Sequence, residues 1–380
     1  MRRKVQALLA SLAIGVLPLT ADAATLADGC RQWPAWESFA RRFISPGGRV
    51  IDLGSADSRT TSEGQAYGLF FALVAGDREG FARILQWTED NLAGGDLTAR
   101  LPAWLWGRGG DGEWGVLDAN AAADADLWLA YALAEAGRLW QVPRYGALAE
   151  ILGDRILREE SADLPGLGRM LLPGPRGFHP GPGLWRLNPS YLPVQALRRL
   201  AGLYPDSAWK RLVPSAVDLI VRSAPRGLAP DWVAYQADGG FRADIETAAI
   251  GSYNAIRVYL WAGMLAPDDP ARPVLLKTLA PMAALTAAQG TPPRETRTRD
   301  GSAAGVGPAG FSGALLPFLA AGQHQDTLRI QRLRLEASAL LERSDNYYDQ
   351  VLTLFGRGWL EGRYRFGRDG TLQLARCAPG

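Results

Sequence analysis

Histidine and cysteine are nearly absent from this 380-residue chain, which holds two of each. With only His179 and His324 to draw on, a Ser-His-Asp triad or a histidine-rich metal centre is poorly supplied, and the chemistry falls to carboxylates. The cysteines, Cys30 and Cys377, stand near opposite ends and form no CxxC spacing of the kind that holds zinc. In an oxidising compartment they could pair as a disulfide, or they could stay as two separate thiols. An excess of charge of one sign is also missing, since 41 Lys and Arg face 39 Asp and Glu. No strong field therefore draws the chain to nucleic acid or to an anionic membrane, and a neutral partner is expected.

Long apolar runs are lacking too. The longest, Val5 to Leu19, is about 15 residues against the ~20 that a bilayer span needs. It follows Met1-Arg2-Arg3-Lys4 and leads to Ala21-Asp22-Ala23, which has the small-x-small form of a secretory cleavage site. Residues 1–23 thus read as a leader and residues 24–380 as a single domain. The chain is expected in the periplasm or outside the cell, with no stable membrane insertion. Period-2 alternation long enough for a major sheet, sequence repeats, low-complexity tracts and charge runs are all wanting.

What is present is helical periodicity. Apolar stripes at spacings of three and four, bounded by Ser, Thr, Asp, Asn, Gly or Pro, predict a dozen helices near 33–44, 62–76, 79–93, 122–140, 145–158, 191–204, 207–223, 245–264, 271–286, 312–322, 325–342 and 346–356. Without a composition break or charged linker midway, they argue for one all-α array with long loops on one face. Thirteen tryptophans are many, and Trp33, Trp104, Trp106, Trp114, Trp185 and Trp232 fall in or beside loops. Some of these anchor loops; as a set they suit the flat apolar faces of sugar rings.

Two acidic clusters stand at helix starts. Ser62 with Gln65 has the form of a capping box, which puts Glu63 in a first turn. The helix dipole there favours ionisation, so a general acid at this position needs burial or a second carboxylate to raise its pKa. Asp124 and Asp126 open another helix. Two residues apart, they do not share a face and should have different environments. Gly107-Arg-Gly-Gly-Asp-Gly112 matches GxGxxG literally, but no convincing strand precedes it and no helix follows, so it reads as a loop.

Several motifs in order resemble glycoside hydrolase family 8. They are Thr61-Ser-Glu-Gly-Gln-Ala-Tyr-Gly68, Leu101-Pro-Ala-Trp-Leu-Trp-Gly107, Asp118 to Trp140, Asn188-Pro-Ser-Tyr-Leu-Pro193, Gly251-Ser-Tyr-Asn-Ala-Ile-Arg257 and Gly310-Phe-Ser312. The likeness runs over essentially the whole mature chain and is closest to the branch that accompanies bacterial cellulose synthase. It implies an (α/α)6 barrel, twelve helices in two concentric rings, with a cleft across the loop face. It further implies endo-acting hydrolysis of β-1,4-glucan such as cellulose, with no cofactor and no metal. The partners implied are the glucan chain and the cellulose synthase complex, and the chain is expected to act as a monomer.

By the same resemblance Glu63 matches the proton donor and Asp124 the signature aspartate at the cleavage point. Tyr67, Trp104, Trp106, Asp126, Tyr191, Tyr253 and Arg257 are expected to bind substrate, although Arg257 could instead hold a carboxylate in place. One position departs from the family pattern. Where the cellulase branch has the base aspartate of Ser-Tyr-Asp-Ala-x-Arg, this chain has Asn254, and an amide does not take up a proton at neutral pH. Three alternatives stand open: another carboxylate (Asp124, Glu113, Asp118 or Asp231) serves as base; Asn254 orients a water at a site with a weak base; or the protein binds glucan with little hydrolysis.

Overall fold

The structure is a computed structural model that describes residues 32–343 and 346–375. The expected leader, Cys30 and Cys377 lie outside the described residues. Trp33–Ala375 form one compact unit, and among the described residues no helix is long and apolar enough to cross a membrane.

Six helices are buried on most sides: α2 (Ser62–Ala75), α4 (Ala123–Trp140), α6 (Val194–Leu203), α8 (Ala255–Met264), α11 (Ala309–Ala321) and α14 (Tyr347–Leu360). A helix that is apolar nearly all round belongs inside a protein. Each carries an amphipathic partner: α3 (Arg78–Leu92) on α2, α5 (Pro143–Glu159) on α4, α7 (Trp209–Ser223) on α6, α9 (Arg272–Leu279) on α8, α12 (Gln325–Ser338) on α11, and α1 (Pro34–Phe43) on α14. In α3 the buried residues Phe81, Ile84, Leu85, Thr88 and Leu92 form the single stripe that such a partner needs. The inner helices neighbour one another in chain order, and the ring closes where Phe355 of α14 meets Phe70 and Phe71 of α2, at 5.3 and 4.6 Å between ring centroids. This is the expected (α/α)6 barrel.

Two expected boundaries move. The segment predicted over 245–264 starts its helix only at Ala255, because residues 250–251 pair as a strand and Gly251 runs against another backbone: a Cβ there would sit 2.0 Å from the Ala229 carbonyl oxygen. The segment predicted over 271–286 is two helices, α9 and α10 (Pro281–Gln289), since Pro281 has no N–H with which to continue the first. A short α13 (Leu340–Arg343) precedes α14.

Among the described residues, strands of two to five residues form five small sheets in the connections, one of them the pair β4 (Ser161–Leu164) and β5 (Gly168–Leu171). One joins β1 (Thr60–Thr61), β2 (Leu105–Arg108) and β3 (Trp114–Asp118), so the Gly107–Gly112 stretch is the end and turn of a hairpin. A second contains β6 (Leu184–Leu187), β7 (Val233–Gln236) and β8 (Gly240–Ala243), and a third β9 (Ile250–Gly251), β10 (Pro293–Arg297) and β11 (Ala303–Val306). At the C-terminal end of α4, buried Glu135 binds Arg138, Arg199 and the Leu372 backbone N–H, tying down the hairpin β12–β13 (Tyr364–Phe366 and Leu372–Leu374). The N-termini of α2, α4 and α8 are thereby left to form the other end.

Candidate active site

Glu63 is placed by its cap and by a strand. Thr61, not Ser62, is the N-cap residue, its hydroxyl accepting from the Gly64 N–H at 3.1 Å. Gln65 takes no part in a capping box: it is fully buried, accepts from the Val50 N–H at 2.6 Å and donates to Thr88 at 2.9 Å. The cap lies one residue earlier than expected because Thr61 still belongs to β1, whose pairing with β2 and the Ser62 N–H to Trp104 carbonyl bond (3.0 Å) bring Trp104 beside Glu63. Asp124, in the first turn of α4, is 2% exposed and accepts from the Ala125 N–H at 2.9 Å.

Asn254 is placed differently. It precedes α8 but does not cap it with its side chain. Asp231 does so from another segment, one carboxylate oxygen accepting from the N–H groups of Ser252, Asn254 and Ala255 at 2.8, 2.9 and 2.7 Å. These bonds fix the turn that presents Asn254.

The three parts meet at Arg257. Its Nη1 donates to Glu63, to Asp124 at 2.9 Å and to the Tyr67 hydroxyl at 3.0 Å, while Nη2 donates to Asn254 Oδ1 at 2.8 Å. The Arg257 side chain is almost wholly buried, as is that of Asp124, whereas a fifth of the Glu63 side chain reaches solvent. Burial pushes the Glu63 carboxyl up to about 7; the Arg257 charge pulls it down, and Asp124 raises it through both its charge and a shared hydrogen bond. Dipole stabilisation in the first turn is thus outweighed, and the group is poised to hold and give up a proton near neutrality.

These residues line an open cavity of about 390 Å³. Of the expected site residues it brings together Glu63, Trp104, Asp124, Tyr191, Tyr253, Asn254 and Arg257. Three others stand elsewhere. Tyr67 is 1% exposed, does not line the cavity and accepts from Arg257. Asp126, also 1% exposed, faces Glu160 in the interior, since two residues along a helix turn it away from Asp124. Trp106 lies outside the cavity lining, stacked on Trp114 at 5.2 Å with the Arg49 guanidinium over both rings. Trp33 and Trp185 are buried anchors.

Asp52, Arg59, Tyr347 and Tyr348 line it too, beside Thr61, Ser62 and Ala122, and none of these four was picked out from the sequence. They arrive from a loop and from the last inner helix, with no spacing pattern to mark them. Burial raises the Asp52 carboxyl, making it a third acidic group in the cleft. The Tyr348 hydroxyl donates to the Tyr253 carbonyl at 2.6 Å and steadies the turn before Asn254.

The candidate bases sort themselves by place. Glu113 is exposed at the tip of the β2–β3 hairpin. Asp118 is exposed, held below its usual pKa by the Asn120 N–H and by Trp104, and absent from the lining. Asp231 is engaged by three backbone N–H groups. Asp124 and Glu63 are bound by the same nitrogen of Arg257, which holds them closer together than the ~6.5–9.5 Å that an attacking water needs between acid and base in inversion.

The chain matches the glycosyl hydrolases family 8 over residues 9–362. It is 46% identical over 358 residues to an endoglucanase of Escherichia coli (strain K12), covering 94% of this chain and 95% of that one. An endoglucanase of Xanthomonas axonopodis pv. citri (strain 306) is 47% identical over 367 residues, covering 96% and 95%. Among solved structures, an endo-1,4-D-glucanase from Vibrio fischeri ES114 superposes with a TM-score of 0.84 at 43% identity, covering 90% of this chain and 99% of that one. An endo-β-1,4-glucanase from Acetobacter xylinum does so with 0.70 at 27%, covering 85% and 96%. Fold, cleft and sequence agree, and the chain belongs to the glycosyl hydrolases of family 8.

Proposed function

We propose that this glycoside hydrolase cuts β-1,4-glucan internally, that Glu63 protonates the departing glycosidic oxygen, and that water attacks beside Asn254 without a carboxylate base. The observation that carries the reading is the Glu63–Asp124 pair held by one arginine nitrogen at the floor of an open cleft. A buried carboxyl that keeps its proton near neutral pH is what a departing sugar oxygen requires. Trp104, Tyr191 and Tyr253 offer rings for stacking on sugars. Asn254 Oδ1 is committed to Arg257, leaving the amide N–H groups to orient the water. Base assistance is worth roughly 10²–10⁴-fold, so turnover should be slow while substrate grip is kept.

The decisive experiment compares viscosity loss with reducing-end release on soluble β-1,4-glucan. Early viscosity loss in the wild type, and none with Glu63→Gln, supports the reading; equal rates for both sink the acid assignment. Asn254 also favours a second reading, a glucan-binding protein with negligible hydrolysis, which holds if oligosaccharides bind but wild type and Glu63→Gln are equally inert. Export, with cleavage after Ala23, and a role beside a cellulose synthase are part of the same proposal. Their support is the sequence pattern of residues 1–23 and the likeness to that branch; the mature N-terminus and co-purification test them.

A further inference from the structure

A second cavity, of about 180 Å³, borders β7 and β8 and the residues just after β10. Arg222, Arg242 and Arg299 line it, with Trp232 and Phe241 as flat walls and no Asp or Glu among the lining residues. Arg222 is fixed, bound to Asp218 at 2.8 Å and lying over the Phe241 ring at 4.9 Å. Among the described residues no carboxylate forms an ion pair with Arg242 or Arg299. The acids nearest along the chain are engaged elsewhere. Asp244 and Glu246 both bind Arg186 at 2.8 Å, and Asp300 accepts from the Ser302 N–H and faces Arg297.

Position gives this cationic pocket its meaning. The Trp232 ring lies 6.0 Å from that of Tyr191, which lines the catalytic cleft. Asp231, the preceding residue, caps the turn that presents Asn254. The Trp232 ring, with the Arg186 guanidinium 4.3 Å over it, therefore stands between the cleft and a pocket lined by three arginines, in a chain whose overall charge is nearly balanced. Guanidinium forks bind carboxylate and phosphate oxygens through paired, charge-assisted bonds, whereas a neutral glucan offers them only uncharged hydroxyl acceptors.

We infer that this pocket takes an anionic substituent, a carboxylate or phosphate ester, carried by a glucan lying in the cleft. The inference rests on the reading of that cleft as a glucan site. An unsubstituted chain uses the cleft alone; an acidic chain gains further contacts one ring beyond Tyr191.

Native affinity electrophoresis of the full chain tests this without requiring turnover. The gels carry either carboxymethyl cellulose or neutral hydroxyethyl cellulose, and wild type runs beside the double variant Arg242→Gln/Arg299→Gln. Two solvent-facing charge contacts are worth about three- to tenfold in affinity together, so the variant should weaken on the carboxymethyl polymer by that factor and remain unchanged on the hydroxyethyl polymer. In roughly 1 M salt, where screening acts over ~3 Å, the two proteins should converge. Equal retardation of both proteins on the acidic polymer, or an equal loss on both polymers, overturns the inference. Retardation by the acidic polymer alone, lost in the variant, keeps the pocket but sinks the neutral-glucan cleft; retardation by neither polymer sinks both.

Discussion

Arg257 Nη2 donates to Asn254 Oδ1 at 2.8 Å, while the neighbouring nitrogen of the same guanidinium serves the Glu63–Asp124 pair. A carboxylate at position 254 could receive the same bond and would be held ionised by it. The amide fills that geometry without a carboxylate's capacity to take up a proton, and one side chain holds both Asn254 and the Glu63–Asp124 pair.

Arg257 and Asp124 push the Glu63 carboxyl in opposite directions. Replacing Arg257 with Met removes the charge that lowers it, so the alkaline limb of the rate profile should move to higher pH. Replacing Asp124 with Asn removes a charge that raises it, and the limb should move to lower pH. Both variants should also lose activity, on the order of 10²-fold or more, because positioning and charge are lost together. A pH–kcat/KM profile reads both shifts; movement in one common direction contradicts the electrostatic assignment.

Tyr67 acts through Arg257. Tyr67→Phe leaves the ring in the aromatic core and removes one of the guanidinium's acceptors. Loss of a single buried bond to a charged group costs about 1.5–3 kcal/mol, so thermal stability should fall measurably while KM for oligosaccharides stays put. A raised KM with unchanged melting would return Tyr67 to the substrate-contacting set.

Asp126 and Glu160 predict a pH-dependent stability. Burial above all raises both carboxyls well beyond the usual range; each also feels the other, and the charges of Asp124 and Glu159 raise both. The folded chain keeps protons that the unfolded chain releases above about pH 4. The pair's contribution is therefore complete below that pH and declines as pH rises toward the folded values. Glu160→Gln, which keeps a hydrogen-bonding partner for Asp126, should flatten the fall in melting temperature between pH 5 and 8. Parallel curves for wild type and variant would rule the pair out as its source.

Asp231→Ala should lower stability by about 1–2 kcal/mol, as loss of a helix cap does, and should loosen the turn before Asn254. Asp231→Asn, which keeps an acceptor oxygen, should retain most of it. Chemical denaturation measures both; equal losses would mean that the charge of Asp231, not its cap geometry, matters.

The sequence displayed the helices well because each bears either an apolar stripe or an apolar surface all round, a local property. It placed Glu63 and Asp124 in first turns, but their roles came from the resemblance to the family's motifs and not from helix position, where acidic residues are common. What it hid was set by contacts between distant segments. The start of α8 depends on Gly251 pressing against Ala229, and its cap comes from Asp231. Asp52, Tyr347 and Tyr348 enter the cleft only through closure of the ring, and Trp106 was drawn out of it by Arg49 and Trp114. The differing environments of Asp124 and Asp126 were legible in their spacing; that Asp126 would meet Glu160 was not.

The most direct test is the initial rate of reducing-end release from soluble β-1,4-glucan by wild type, Glu63→Gln and Asn254→Asp in parallel. Supplying the missing base should raise the rate of Asn254→Asp over wild type by about 10²-fold or more, the lower part of what a general base contributes, with Glu63→Gln at background. A wild type as fast as Asn254→Asp would contradict the proposal and require another group to take the proton from water.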